Sequence, residues 1–243
     1  MRLNAKEIHK KYETNLSETK KALFSIKENK SVLFGISGKM GSGKDTIGNR
    51  ISNSSNFKKY SIVQTSYASS IRREISEIVS KYKQGVSFEE LSFFYNAEIK
   101  ETNKLIDLLK ESSIFERTSN SRLAIQYWGT DVRRKQNKNY WVNKTVQHIV
   151  KTINSGKSIY VTDTRFPNEV KAIEDLGGKV IRLDVPENVR IDRIIYRDGI
   201  KPTQEQLNHK TETALDDYKF KFMLDGCDDP DLLAKKGSEY ILR

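Results

Sequence analysis

The run "GISGKMGSGKDTIG" (35–48) constrains this chain more than any other stretch of it. It overlaps the apolar "SVLFGIS" (31–37), which predicts a strand, and a helix is predicted from about Lys44. Gly38, Gly43 and Lys44 have the spacing G-x-x-x-x-G-K, credible only between a strand and a helix. Glycines at 38, 41 and 43 let the backbone curl so that successive N–H groups point inward, an arrangement that cradles phosphate oxygens. The start of the following helix adds partial positive charge, and Lys44 would neutralise the β- and γ-phosphates of a nucleotide. Lys39 and Ser42 belong to the same candidate loop, and Thr46 can offer a hydroxyl to the phosphates. Position 45, where a serine or threonine is expected to meet Mg²⁺, is Asp45. A carboxylate still reaches that metal, directly or through water. The substitution therefore does not spoil the site.

Downstream, short apolar runs alternate with helical patterns. "KYSIVQTS" (59–66), "SIYVTD" (158–163), "GKVIRLDV" (178–185) and "YKFKFML" (218–224) predict strands two to five. A helix follows strand two, and a long helical stretch occupies about 87–155, with Ser87 and Glu90 as its cap. The glycines at 177–178 end the helix before strand four, and Pro186 marks a helix start after it. This alternation predicts an α/β fold: a five-stranded, mostly parallel sheet with helices on both faces. A helical insertion, about 67–155, would stand above the carboxyl edge of the sheet, where such folds bind ligands. Ahead of the glycine loop, residues 1–30 predict a helical extension with cap-like starts at Asn4 and Asn15. Its apolar positions Ile8, Tyr12, Leu16, Leu23 and Ile26 suit a packing or oligomerising arm.

Composition narrows the setting. At 243 residues, one domain spanning 31–243 beyond that extension is expected. No apolar run approaches the roughly 20 residues of a membrane helix, and "MRLNAKEIHKKYE" does not read as a signal peptide. The single cysteine, Cys227, excludes an internal disulfide, and the three histidines form no metal-ligand pair. The net charge of +11 favours an anionic partner without choosing between nucleic acid and polyphosphate ligands.

Several stretches together resemble the phage deoxynucleoside monophosphate kinases, within the wider nucleoside-monophosphate-kinase group of phosphate-loop kinases. They are "SGKMGSGKDT" (37–46), "YASSIRREI" (67–75), "LAIQYWGTDVRR" (123–134) with "YWV" (140–142), "VTDTRFPNEVKAIEDLGGKVIRL" (161–183) and "HKTETALDD" (209–217). The loop is common to many NTPases; the co-occurrence of "GTD", "DTRFPNE" and "H-K-T-E-T" is much more specific. The chain departs from the family at Asp225–Gly226, where an Asn-rich turn is usual, and at Ser69–Ser70. Residues 1–30 have no counterpart.

The resemblance implies an ATP-dependent transfer to a deoxynucleoside monophosphate, with Mg²⁺, in the phosphate-loop kinase fold. It implies that Arg72, Arg134 and Arg165 clamp the acceptor phosphate, with Gln126 near the base or sugar and the insertion binding the acceptor. Asp163, ending strand three, would join Asp45 in holding the metal's water shell. Arg193 and Arg197, at i, i+4 spacing beside Arg190, would close a lid of about 187–212 over ATP and act with Lys44, Asp163 and Arg165 in catalysis. Alternatively, they are surface arginines pairing with Asp192 and Asp198. Asp131 orients Arg134 or caps a helix, Trp128 and Trp141 are core residues or walls of a base pocket, and Glu169 caps or pairs on its helix. His209 and Glu212 suit loop anchoring. The expected partner is the nucleotide substrate, without stable nucleic-acid or membrane binding; a homodimer is compatible. The expected location is the cytoplasm, that of the host if the chain is phage-encoded. The alternatives are a kinase of another small phosphorylated acceptor, such as dephospho-coenzyme A or phosphomevalonate, and a nucleic-acid-binding ATPase.

Overall fold

Short apolar runs rich in β-branched and aromatic residues build the sheet. They are β1 (Leu33–Ser37), β2 (Ile62–Thr65), β3 (Ser158–Thr164), β4 (Lys179–Asp184) and β5 (Met223–Asp225). In this computed structural model, which describes residues 3–110, 113–116 and 118–243, they pair in the order β2-β3-β1-β4-β5. Every pairing is parallel. The helices in chain order are α1 (Ala5–Tyr12), α2 (Leu16–Lys27), α3 (Lys44–Ser52), α4 (Tyr67–Lys83), α5 (Phe88–Tyr95), α6 (Ile99–Leu108), α7 (Ser119–Gln126) and α8 (Tyr140–Asn154). They continue with α9 (Pro167–Asp175), α10 (Glu187–Asp198), α11 (Gln204–Asn208), α12 (Lys210–Thr213) and α13 (Pro230–Leu242). None of the described helices is long and apolar enough to cross a membrane.

The chain divides into two compact units. One combines residues 1–66 and 146–243; the other is the continuous stretch 67–145. The first holds the sheet. β1 is buried along its whole length, as a central parallel strand covered on both faces must be. Phe34 and Ile36 point into a cluster with Ile47 and Ile51 of α3 and Leu233 and Ile241 of α13. Leu33 and Gly35 face Ile173 of α9 on the other side. Burying each large aliphatic or aromatic side chain contributes about 1.5–3 kcal/mol. β1 and β3 are neighbours, yet the chain leaves β1 toward β2 and leaves β3 toward β4. Their carboxyl ends thus form the switch point of the sheet, where open α/β sheets place ligands.

The N-terminal extension forms two helices, with a full capping box at Asn4 and Glu7. Ile8, Tyr12 and Ala22 are fully buried, and the arm is fixed at Asp175, the last residue of α9. The Asp175 carboxylate accepts from Tyr12 Oη at 2.7 Å and Lys11 Nζ at 2.9 Å and pairs with Lys171. Burial alone would raise its pKa; Lys171, Lys11 and Tyr12 outweigh that and hold it below the usual value. The ionised form therefore stabilises the fold. Its contribution is complete above the unfolded value of about 3.9 and is lost as pH falls through the depressed folded value. Urea midpoints should show Asp175→Asn less stable than the parent at pH 7, with the gap closing toward pH 3. A gap independent of pH would contradict this.

The second unit is helical. The helical stretch predicted over about 87–155 consists of several helices: Asn96 ends α5 in the left-handed region (φ 45°), and Thr118 restarts the chain with its own cap on α7. Tyr127–Arg134 then runs as a π-helix. The predicted fifth strand is also shorter, because only Met223–Asp225 pairs with β4. Phe222 instead stacks on Tyr240 at 4.2 Å.

Candidate active site

The loop between β1 and α3 is shaped by backbone conformations that only glycine tolerates. Gly41 has φ 78°, and a β-carbon there would lie 2.5 Å from the Arg190 carbonyl oxygen of α10. Gly43, the N-cap of α3, is also left-handed. Among the described residues, no acceptor in the chain takes the amides of Gly43, Lys44 and Asp45. These three donors and the positive end of the α3 dipole lie together, the kind of arrangement that suits an anion. Lys44 folds back over it, its Nζ donating to the carbonyls of Gly38 (2.8 Å) and Lys39 (2.9 Å). Burial first, and Arg165 second, push its ammonium well below the ordinary lysine value; Asp45 and Asp163 oppose this, and Arg182 adds to it. The Ser42 hydroxyl is buried in the loop and, among the described residues, has no hydrogen-bond partner. Asp45 and Thr46 are exposed.

β3 delivers the facing groups. Asp163 is half-buried near its end, and Arg165 follows the strand. The turn is fixed by Glu169, whose Oε2 accepts from the amides of Arg165 (2.7 Å) and Phe166 (3.1 Å) and caps α9. Burial works against the Arg165 charge, and Asp163, Glu169 and Asp45 offset it. Lys44, Asp45, Asp163 and Arg165 thus stand within electrostatic reach of one another. Arg165 Nη1 forms an ion pair with Glu212 of α12, while Glu212 Oε2 accepts from the Met40 amide of the glycine loop at 2.6 Å. Glu212 of the "H-K-T-E-T" segment therefore links the glycine loop to the turn after β3. His209 caps the segment: its Nδ1 contacts Thr211 Oγ1 at 2.9 Å.

On the β4 side lies a cavity of about 210 Å³ whose lining includes Lys39, Arg182, Asp184, Glu187 and Arg190. Arg182 was not singled out by the sequence reading. It is buried, donates to Ser37 Oγ at 3.1 Å, and lies over the Phe220 ring. A cation inside the apolar run "KVIRLD" was the available signal. The arginines of α10 separate. Arg190 is buried behind the glycine loop, donating to the carbonyls of Met40 and Val185 (both 3.2 Å). Arg193 donates to the Gly226 carbonyl at 3.0 Å, and Arg197 makes a two-point pair with Asp198 at 2.7 and 2.8 Å.

Arg72, Gln126 and Arg134 belong to the second unit. Arg72 donates to the Ile114 carbonyl, Arg134 to the Lys138 carbonyl at 3.4 Å, and Gln126 ends α7 half-buried. Asp131 is exposed. Trp128 and Trp141 are fully buried core residues. Glu74 is the hub of this unit. Its carboxylate takes Trp128 Nε1 (2.9 Å), Arg133 Nε (2.6 Å), Tyr140 Oη (2.6 Å) and Lys144 Nζ (2.5 Å). The Arg133 guanidinium lies over the Trp128 and Tyr140 rings at 4.7 and 4.9 Å.

The parallel order β2-β3-β1-β4-β5, the glycine loop after β1 and the acidic end of β3 define a phosphate-loop kinase fold. The model of the deoxynucleotide monophosphate kinase family matches residues 69–222, more than half of the chain, and the chain belongs to that family. The matched span begins downstream of the glycine loop. Among curated proteins, the chain is similar to the uncharacterized protein ORF77 of Ictalurid herpesvirus 1 (strain Auburn), 30% identical over 90 residues. That match covers 37% of this chain and 34% of the viral protein, so the chain spans about a third of the length of this relative. Among solved structures, it is similar to TT1252 from Thermus thermophilus, with a TM-score of 0.43 at 14% identity, over 87% of this chain and 96% of that one.

Proposed function

We propose that the protein transfers the γ-phosphoryl group of ATP to a deoxynucleoside monophosphate, giving ADP and the deoxynucleoside diphosphate. The observation that carries this reading is the convergence of Lys44 and Arg165, two disfavoured cations, beside a loop of unpaired amides. Phosphate oxygens can accept from these cations and amides together. The loop 38–46, with Gly38, Lys39, Gly41, Ser42 and Thr46, holds the donor's phosphates, and the unpartnered Ser42 hydroxyl supports this. Arg193 and Arg197 of α10 are the lid arginines of the reading, in a region of about 187–212. Arg72, Gln126 and Arg134 are proposed to recognise the acceptor.

Among the described residues, no group of three or more His, Cys, Asp or Glu could hold a metal by itself. The donors fit Mg²⁺ instead, which keeps several waters and takes one or two carboxylates plus substrate phosphates. Asp45 and Asp163 are those carboxylates, and the ion would supply neutralising charge between the phosphates. The acceptor oxygen is already anionic near neutral pH, so the chain needs no general base. Its residues align two polyanions and screen their repulsion, and lid closure excludes water that would otherwise take the phosphoryl group.

A coupled assay of ATP consumption across a panel of deoxy- and ribonucleoside monophosphates tests the reading; ATP turnover unaffected by any monophosphate would refute it. Arg165→Ala should weaken use of the acceptor about tenfold or more, the worth of one charge-assisted hydrogen bond, with ATP affinity little changed. If ATP affinity changes while the dependence on monophosphate does not, Arg165 belongs to the donor instead.

A further inference from the structure

We propose that Glu212 is a positioning residue that aims the Arg165 guanidinium at the transferring phosphates by holding one of its corners against the glycine loop. The inference rests on the reading of Arg165 as a phosphate-binding arginine. Glu212 is 5% exposed, and its two oxygens face different elements. Oε1 pairs with Arg165 Nη1, and Oε2 accepts from the Met40 amide at 2.6 Å. One carboxylate therefore links the residue after β3 to the loop after β1, which are 47 and 172 residues away from it in the chain.

The geometry of the fork matters. Nη1 is taken by Glu212, with the Thr211 carbonyl 3.4 Å away. Among the described residues, Nε and Nη2 have no acceptor. A planar guanidinium held at one corner has its remaining donors fixed in direction, which is what two-point recognition of a phosphate requires. Lys44 is close enough for its charge and that of Arg165 to oppose each other. Without Glu212, the long contact of Nη1 to the Thr211 carbonyl at 3.4 Å is what remains, among the described residues, to hold Arg165 on this side. Glu212 itself sits where its charge is matched, in a segment whose Thr211 amide is capped by His209.

The test is a mutant cycle in the coupled assay, with ATP affinity measured separately by equilibrium titration. Glu212→Gln keeps an oxygen for the Met40 amide and removes the negative charge that faces Arg165. It should lower kcat/KM for the monophosphate about tenfold, the worth of one charge-assisted contact, and leave the ATP Kd within about threefold. Glu212→Asp, which keeps the charge, should retain more activity than Glu212→Gln. In an Arg165→Ala background, Glu212→Gln should cost nothing further, because residues acting through one another are not additive. The proposal is overturned if Glu212→Gln equals the parent while Arg165→Ala is impaired, if the two losses multiply, or if Glu212→Asp is the weaker variant. An Arg165→Ala enzyme with unchanged kcat/KM removes the underlying reading as well, and is recognised by that single variant alone. Should Glu212→Gln not fold, Glu212→Asp completes the same cycle: a loss in the parent that vanishes in Arg165→Ala supports the proposal, and a loss in both backgrounds overturns it.

Discussion

Lys44→Ala is expected to yield a folded protein whose phosphoryl transfer has fallen about 10²–10³-fold or more, the scale for deleting one preorganised charge-stabilising donor. The structure gives the reason for both halves of that expectation. Lys44 lies outside the apolar cluster around β1; among the described residues, its ammonium bonds to the Gly38 and Lys39 carbonyls of its own loop. Burial, Arg165 and Arg182 all disfavour its charge. Removing it relieves that repulsion, so the melting temperature should hold or rise. Phosphate would reverse the sign of the environment, and the favourable term then appears only with nucleotide bound. The measurement is kcat in the coupled assay, beside the nucleotide-induced rise in melting temperature, which should shrink in the variant. Turnover close to the parent in a folded Lys44→Ala would remove the loop from the donor site.

Glu74→Ala should have the largest effect on stability. Arg133 is 3% exposed, and it would remain buried between aromatic rings with its carboxylate gone. Breaking a buried pair from one side costs about 3–5 kcal/mol. For a chain of this size each kcal/mol lowers the melting temperature by about 2–4 °C. Trp128, Tyr140 and Lys144 lose their acceptor as well. Thermal unfolding followed by far-ultraviolet circular dichroism checks this. A Glu74→Ala protein melting within about 2 °C of the parent, well short of that scale, would mean that the unit relaxes around the loss.

The sheet was the most legible part of the sequence, because buried parallel strands are written as continuous apolar runs: "SVLFGIS", "SIYVTD" and "GKVIRLDV". The glycine loop was legible for a different reason, since its backbone admits few other residues. What failed to show were features set by partners far along the chain. "YKFKFML" alternates like a strand, yet Phe220 lies beneath Arg182 and Phe222 stacks on Tyr240, so pairing starts only at Met223. Arg133 and Arg134 are adjacent and chemically identical. The π-helical turn and Glu74 decide that the first is buried and the second half-buried. Arg190, read with the lid arginines of α10, turned out to brace the glycine loop from behind. Glu212 was noted for anchoring, but its two partners could not be read from one sequence without an idea of the strand order.

The parallel sheet also sets the order in which the molecule can assemble. The amide before β1 bonds to Ser158 Oγ, 126 residues later, and both neighbours of β1 are strands from the later part of the chain. At about 5–20 residues per second, a ribosome leaves this strand unpaired for roughly 6–25 s. During that interval the continuous 67–145 segment can assemble from its own residues; its Glu74–Lys144 contact spans 70 residues, against 126 for the bond that seats β1, and shorter separations close faster. The glycine loop is thus translated before the helical unit and shaped after it, and a chain released early carries an apolar strand with no neighbour on either side.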